Sequence, residues 1–146
     1  AQLDSLAGSG IYTVNIDIEP EMLKSADTTV PEASASGASA PRFILNLGDV
    51  RESARVTING KNVGTLWAVP FEIDITNYLK PGCNTLEVEV TNLPANRIAA
   101  LDRKGVPWRK YKEINLVDLN YKKTGYAHWQ LMESGLNSVP CIEIYQ

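Results

Sequence analysis

The chain has 146 residues, of which 44% are hydrophobic and 21% are charged, and its formal net charge is −3. This length fits one domain that can bury a core without disulfide bonds, and the composition is ordinary for a globular protein. There is no run of about 18 apolar residues, which argues against a membrane-spanning helix. The first ten residues lack the basic start and apolar stretch of a signal peptide, so they indicate no location.

Charge is distributed unevenly along the chain. Residues 97–123 carry eight Lys and Arg against three Asp and Glu, whereas the remaining residues carry six against fourteen. A mildly acidic body with one basic segment does not suit a nucleic-acid backbone. The tetrapeptide WRKY at 108–111 spells a DNA-binding motif, but the zinc ligands of that motif are missing. We therefore expect no nucleic-acid partner; the segment is either solvated or paired with acidic neighbours.

Apolar and polar residues alternate in six segments, which is the pattern of strands with one buried face. In chain order these are IYTVNIDI (11–18), FILNL (43–47), ARVTI (54–58), FEIDI (71–75), LEVEV (86–90) and CIEIY (141–145). Asn59-Gly60 predicts a two-residue hairpin turn into a returning strand, KNVGTLW (61–67), and Pro81-Gly82 predicts a second turn. Short strands with one solvent-exposed face favour antiparallel sheets. The predicted fold class is all-β, an antiparallel sandwich of the jelly-roll type.

Two segments interrupt this rhythm. Residues 25–41 are rich in Ala and Ser and predict a flexible, exposed loop. Residues 93–139 show no sustained period and predict a long irregular segment, of the kind that often carries function or covers a surface. No amphipathic helix longer than about ten residues is predicted. We expect residues 1–146 to form one β-sandwich module.

Catalytic and metal chemistry have little support in the sequence. Glycoside hydrolysis needs two carboxylates about 5–10 Å apart, but most acids alternate outward on the strands, and Asp49 and Glu52 around Arg51 fit a turn equally well. The single histidine, His128, has no recognisable catalytic partner. Cys83 and Cys141 either pair or stay free. The chain itself is not expected to be catalytic, and no zinc ligand spacing exists.

Sugar binding is physically more reasonable, because pyranose rings stack on aromatic side chains while amides, carboxylates and guanidinium groups bind hydroxyls. The alternative is structural: Trp67 would belong to the core, and the tryptophans of the irregular segment would fasten it to the sheet. The predicted sugar-binding residues are Trp67, Asn96, Arg97, Asp102, Trp108, Arg109, Tyr111, Tyr126 and Trp129.

A family resemblance extends this interpretation. Residues 45–92 contain, in order, LNLG, ARVTING, GTLW, PFEIDIT, LKPGCN and LEVEVTN. This combination closely resembles the sugar-binding-like jelly-roll module, similar to galactose-binding domains, of family 2 glycoside hydrolases. The continuation, with TNL at 91–93, NR at 96–97, WRKYK at 108–112 and SGL at 134–136, resembles the C-terminal part of bacterial enzymes similar to α-L-rhamnosidases.

The resemblance implies a non-catalytic ancillary module of a secreted bacterial glycoside hydrolase, periplasmic or extracellular, that degrades plant or host polysaccharides. Its partner would be either carbohydrate or the catalytic barrel domain of that enzyme, and such modules often act as scaffolding without sugar affinity. Intrinsic glycosidase activity is a weaker alternative. No cofactor is predicted. Related modules often hold calcium, but no loop here concentrates three acids, so calcium is not predicted either.

Overall fold

The computed structural model describes residues 5–24, 40–110 and 125–145. Pro20–Leu23 and Thr76–Tyr78 are 3-10 helices that accompany the regular elements. Those elements are β1 (Ser9–Ile18), β2 (Arg42–Asn46), β3 (Val50–Arg51), β4 (Ser53–Ile58), β5 (Lys61–Leu66), β6 (Glu72–Asp74), β7 (Gly82–Thr91), α1 (Ala95–Arg103), β8 (Gly135–Leu136) and β9 (Cys141–Tyr145). Each segment predicted as a strand contains one, and the all-β fold class is confirmed.

The strands form two main antiparallel sheets. One has four strands in the order β1-β7-β4-β5, and the other has three in the order β6-β2-β9. A short pair, β3 with β8, lies beside them. Alternate residues of β2, β4 and β7 are buried, as the period-two pattern predicts. The core contains side chains from both sheets, including Phe43, Leu45, Val56, Ile58, Leu86 and Val88.

The predicted turns have the required backbone geometry. Asn59 and Gly60 have φ values of 51° and 76°, which joins β4 to β5 through a tight hairpin. Gly82 has a φ of 80° at the start of β7. Because glycine adopts positive φ values without strain and asparagine tolerates them better than most other residues, the NG and PG pairs set these chain reversals.

β8 and the segment after it are tied to both sheets. The Oγ of Ser138 donates to the Leu47 carbonyl over 2.8 Å and accepts from the Asp49 amide over 2.6 Å, so it closes the turn between β2 and β3. The Leu136 amide donates to the Tyr12 hydroxyl over 3.3 Å. The last part of the chain therefore fastens β1 to the β2–β3 turn.

Residues 93–139, predicted as irregular, begin with a helix, so that prediction is corrected for Ala95–Arg103. The sequence ANRIAALDR is rich in Ala, Leu and Arg, which favour helix. Asn96 and Ala99, three positions apart, are buried on one face. A helix of nine residues is shorter than the window in which a helical period is detected. Residues 25–39 and 111–124, parts of the two predicted loops, lie outside the described residues.

Strand β1 departs from its predicted burial. Its register places Tyr12 opposite Val88 and Val14 opposite Leu86, on the face that points to the core. Yet Tyr12 and Val14 are 44% and 52% exposed, whereas their partners on β7 are buried. Within the described ranges the four-stranded sheet is wider than the three-stranded sheet that packs on it, and no strand there covers the inner face of β1.

The helical content is small. In the ranges that the structure describes, no helix is long and apolar enough to cross a bilayer.

Candidate functional site

Three of the predicted aromatic residues form one cluster. The ring centroids of Trp108 and Tyr126 are 5.9 Å apart and those of Tyr126 and Trp129 are 4.5 Å apart, with tilted planes. Such tilted pairs contribute packing energy beyond their buried area. We call Trp108, Tyr126 and Trp129 the aromatic cluster.

Asp102, near the end of α1, holds the aromatic cluster together. Its carboxylate accepts a hydrogen bond from the indole N–H of Trp108 and another, over 2.6 Å, from the amide of Tyr126. Both carboxylate oxygens are therefore engaged within the protein. A sugar hydroxyl would have to share these acceptors with groups that already position the rings.

Two arginines surround the aromatic cluster. The guanidinium carbon of Arg109 lies 5.0 Å from the ring centroids of both Trp108 and Tyr126, within cation–π range. Arg103 donates from Nε to the Ala127 carbonyl over 2.8 Å and from Nη2 to the Trp129 carbonyl. Arg103 was not among the predicted residues. It connects α1 to the segment that carries Trp129.

Asn96 has a structural partner instead of a free amide. It is buried, its Nδ2 donates to the Met132 carbonyl over 2.7 Å, and its Oδ1 accepts from the Met132 amide over 2.9 Å. Arg97, the next residue of α1, is exposed. Asn96 thus pins residue 132 to the helix in the way that a strand partner would, while Arg97 faces solvent.

The remaining predicted residues lie elsewhere. Trp67 follows β5 and is 78% exposed, so it is not a core residue. Tyr111 lies outside the described residues. The structure brings together Asp102, Trp108, Arg109, Tyr126 and Trp129, with Asn96 fastening the segment just beyond them.

Asp49, one of the acids weighed as catalytic candidates, forms an ion pair with Arg51. Arg51 Nη2 donates to Asp49 Oδ2 over 3.1 Å and lies 3.8 Å from a carboxylate oxygen of Glu133. The hydrogen bond to Asp49 raises the pKa of Arg51, and the charge of Asp49 adds to this. Asp49 is therefore ion-paired beside a turn, which suits a structural role.

The described residues also bear on the metal and thiol predictions. Among residues 5–24, 40–110 and 125–145, no three His, Cys, Asp or Glu side chains group as metal ligands would. Cys83 and Cys141 are both free and exposed.

A family model and a curated relative both match this chain. A model described as "Glycosyl hydrolase 2 galactose-binding domain-like" matches residues 23–138. A Formosa agariphila protein provisionally named a beta-glucuronidase is 39% identical over 146 aligned positions, which cover 89% of this chain and 11% of that protein. The chain therefore spans about a tenth of the length of this relative.

A solved structure shares the fold. The rhamnosidase from Novosphingobium sp. PP1Y matches with a TM-score of 0.63 at 24% identity, over 94% of this chain and 11% of that one. At this identity the likeness concerns the fold alone.

Proposed function

Because the chain belongs to the glycosyl hydrolase 2 galactose-binding domain-like family, we propose that it is a non-catalytic module that packs on the rest of a longer bacterial glycoside hydrolase. The partner in this proposal is the catalytic domain of that enzyme, which acts on polysaccharides in the periplasm or outside the cell. The relative of which this chain covers 11% supports a longer polypeptide.

One observation carries the proposal: four consecutive apolar residues, Trp-Ala-Val-Pro, are exposed between β5 and β6. We call residues 67–70 the WAVP loop. Trp67 and Val69 are 78% and 81% exposed, although each would gain roughly 1.5–3 kcal/mol from full burial. A run of this kind on a surface marks an interaction site. An indole beside a valine and a proline suits a protein surface that excludes water.

The proposal is tested by substitutions in the WAVP loop. Trp67→Ser with Val69→Ser should leave the urea midpoint of the 146-residue chain unchanged, because both side chains contact mainly water. In the longer enzyme the same pair should lower the melting temperature by several degrees, since the lost contact belongs to the assembled protein. Ile11→Ser, at a similarly exposed apolar side chain on β1, is the matched control. An unchanged melting temperature in the longer enzyme would overturn the proposal.

Carbohydrate contact at the aromatic cluster is the second candidate. Its support is Trp129, which is 38% exposed, 4.5 Å from Tyr126 and beside a cationic segment. Against it, Asn96 and Asp102 already hold protein partners. Titration with rhamnose-, galactose- and galacturonate-containing oligosaccharides, followed by NMR, tests this candidate. No shift of the Trp129 indole signal at millimolar sugar would remove it.

A further inference from the structure

An apolar groove runs between the open inner face of β1 and the edge of the three-stranded sheet. Its volume is about 570 Å³. The side chains that define it come from four strands and are Tyr12, Val14, Ile16, Leu45, Leu86 and Ile142. This groove is separate from the WAVP loop and from the aromatic cluster.

The groove lies where the three-stranded sheet ends. Strand β9 pairs with β2 along its whole length, with Cys141 opposite Asn46 and Tyr145 opposite Arg42. Within the described residues, no strand pairs with the other edge of β9. Ile144 shares the inner face with Phe43, its partner on β2, yet it is 48% exposed. One further strand beside β9 would cover Ile144 and the inner face of β1 together.

The chemistry of the groove selects an extended peptide. Among the described residues that line it none is charged, and the Tyr12 hydroxyl already accepts from the Leu136 amide. A sugar would find few partners for its hydroxyls there. The edge of β9, by contrast, offers backbone donors and acceptors at the spacing of a strand, and alternate side chains of an added strand would enter the groove.

We propose that an extended segment of the same polypeptide, outside residues 1–146, pairs with β9 and places apolar side chains over Tyr12 and Val14. This rests on the longer enzyme of the proposed function. The source is argued from length: the matched region is 11% of the Formosa agariphila relative, so most of such a polypeptide lies elsewhere. The five residues of β9 offer about 17 Å of edge, enough for two or three inward side chains.

Thiol protection tests this proposal. In a background with Cys83→Ser and Cys141→Ser, Val14→Cys places a thiol in the groove, and Ile11→Cys places one on the opposite face of β1, where Ile11 is exposed and does not line the groove. Both should react rapidly with a maleimide in the 146-residue chain. In the longer polypeptide the Val14→Cys thiol should react about tenfold more slowly, while the Ile11→Cys thiol keeps its rate within about twofold. Hydrogen exchange at β9 amides that do not donate to β2 gives the same readout without substitutions.

Each other outcome overturns the proposal. Equal reactivity of the Val14→Cys thiol in both polypeptides, with unprotected β9 amides, would show an uncovered groove. Protection already present in the 146-residue chain would assign the groove to this chain if it is monomeric, or to a second copy if it is dimeric. A reading frame without residues beyond these 146 would also end it. The WAVP loop substitutions test the proposed function independently. If they lower the melting temperature of the longer enzyme while the groove stays uncovered, only the inference about the groove is wrong.

Discussion

The side-chain amide of Asn59 donates to the side-chain oxygen of Asn84 over 2.9 Å. Asn84 is 1% exposed, and its Nδ2 donates to the carbonyls of Lys80 and Gly82 over 2.7 and 2.8 Å. Asn59 in turn accepts from the Thr85 amide over 3.1 Å. The two turns that the sequence marks by NG and PG are thus joined by one pair of amides. Asn59 and Asn84, which belong to the family motif, therefore have a structural role: they link the two turns.

Asn84→Ala should destabilise the chain by roughly 2–4 kcal/mol, because buried groups on both turns lose their partners at once. Urea unfolding followed by circular dichroism measures this. Asn62→Ala, at an exposed position on β5, is the matched control and should change stability by less than about 0.5 kcal/mol. A loss below about 1 kcal/mol for Asn84→Ala would contradict the bridging role of this pair.

Gly135→Ala should cost about 1–3 kcal/mol. Gly135 has a φ of 92°, and a Cβ there would lie 2.7 Å from the Tyr12 hydroxyl oxygen. Combining it with Tyr12→Phe, which removes that oxygen, should recover part of the loss, so a double-mutant cycle should show coupling of about 1 kcal/mol. Gly10→Ala is the control, since its Cβ would meet no atom within 4 Å. Strictly additive losses would mean that Tyr12 does not limit this position.

Asp102→Ala should loosen the aromatic cluster while leaving the β-core intact. The carboxylate is the acceptor for Trp108 and for the Tyr126 amide, and neither residue belongs to the core between the sheets. Trypsin cleavage after Arg109 should accelerate about tenfold, with little change in the urea midpoint. Asp17→Ala, at an exposed position on β1, serves as the control. Unchanged cleavage would show that ring packing alone holds this region.

Protonation of Asp74 should contribute to the loss of folding stability at acidic pH. Hydrogen bonds from the Thr76 hydroxyl and amide lower the pKa of Asp74, and Arg42 lowers it further. A lowered folded-state pKa stabilises the protein above the unfolded value of about 3.9, and this contribution is lost as the pH falls through the folded value. Asp74→Asn should therefore flatten the decline of the urea midpoint below about pH 4. Asp17→Asn, which leaves Thr76 untouched, should retain the decline.

The strands were predictable because alternation with period two reports directly which residues share a face. In β7 the pattern places Leu86, Val88 and Val90 inward, and all three are buried. The same pattern in β1 identified the inner face correctly but could not tell whether another strand covers it. Coverage depends on the width of the opposite sheet, which is a property of the whole topology. The helix α1 was missed because nine residues give less than three turns of periodic signal.

The candidate site was predictable only as a region. Aromatic and cationic residues of the segment after α1 do come together, and the sequence indicated them by composition. It could not indicate that Asp102 would be engaged by Trp108 and by the amide of Tyr126, 24 positions away, since such bonds follow from the path of the chain. Arg103 was missed for the same reason: its partners are carbonyl groups, which every residue carries.

The contacts that residues 135–145 make with the first half of the chain have a consequence for folding during synthesis. β2 is the middle strand of its sheet, but one neighbour is β9, and its following turn is closed by Ser138, about 90 positions later. The Tyr12 hydroxyl meets its amide partner 124 positions further on. During synthesis, one edge of β2 therefore stays unpaired until Tyr145 has left the ribosome. A chain that ends before Gly135 cannot form the hydrogen bonds that close the β2–β3 turn and fasten β1.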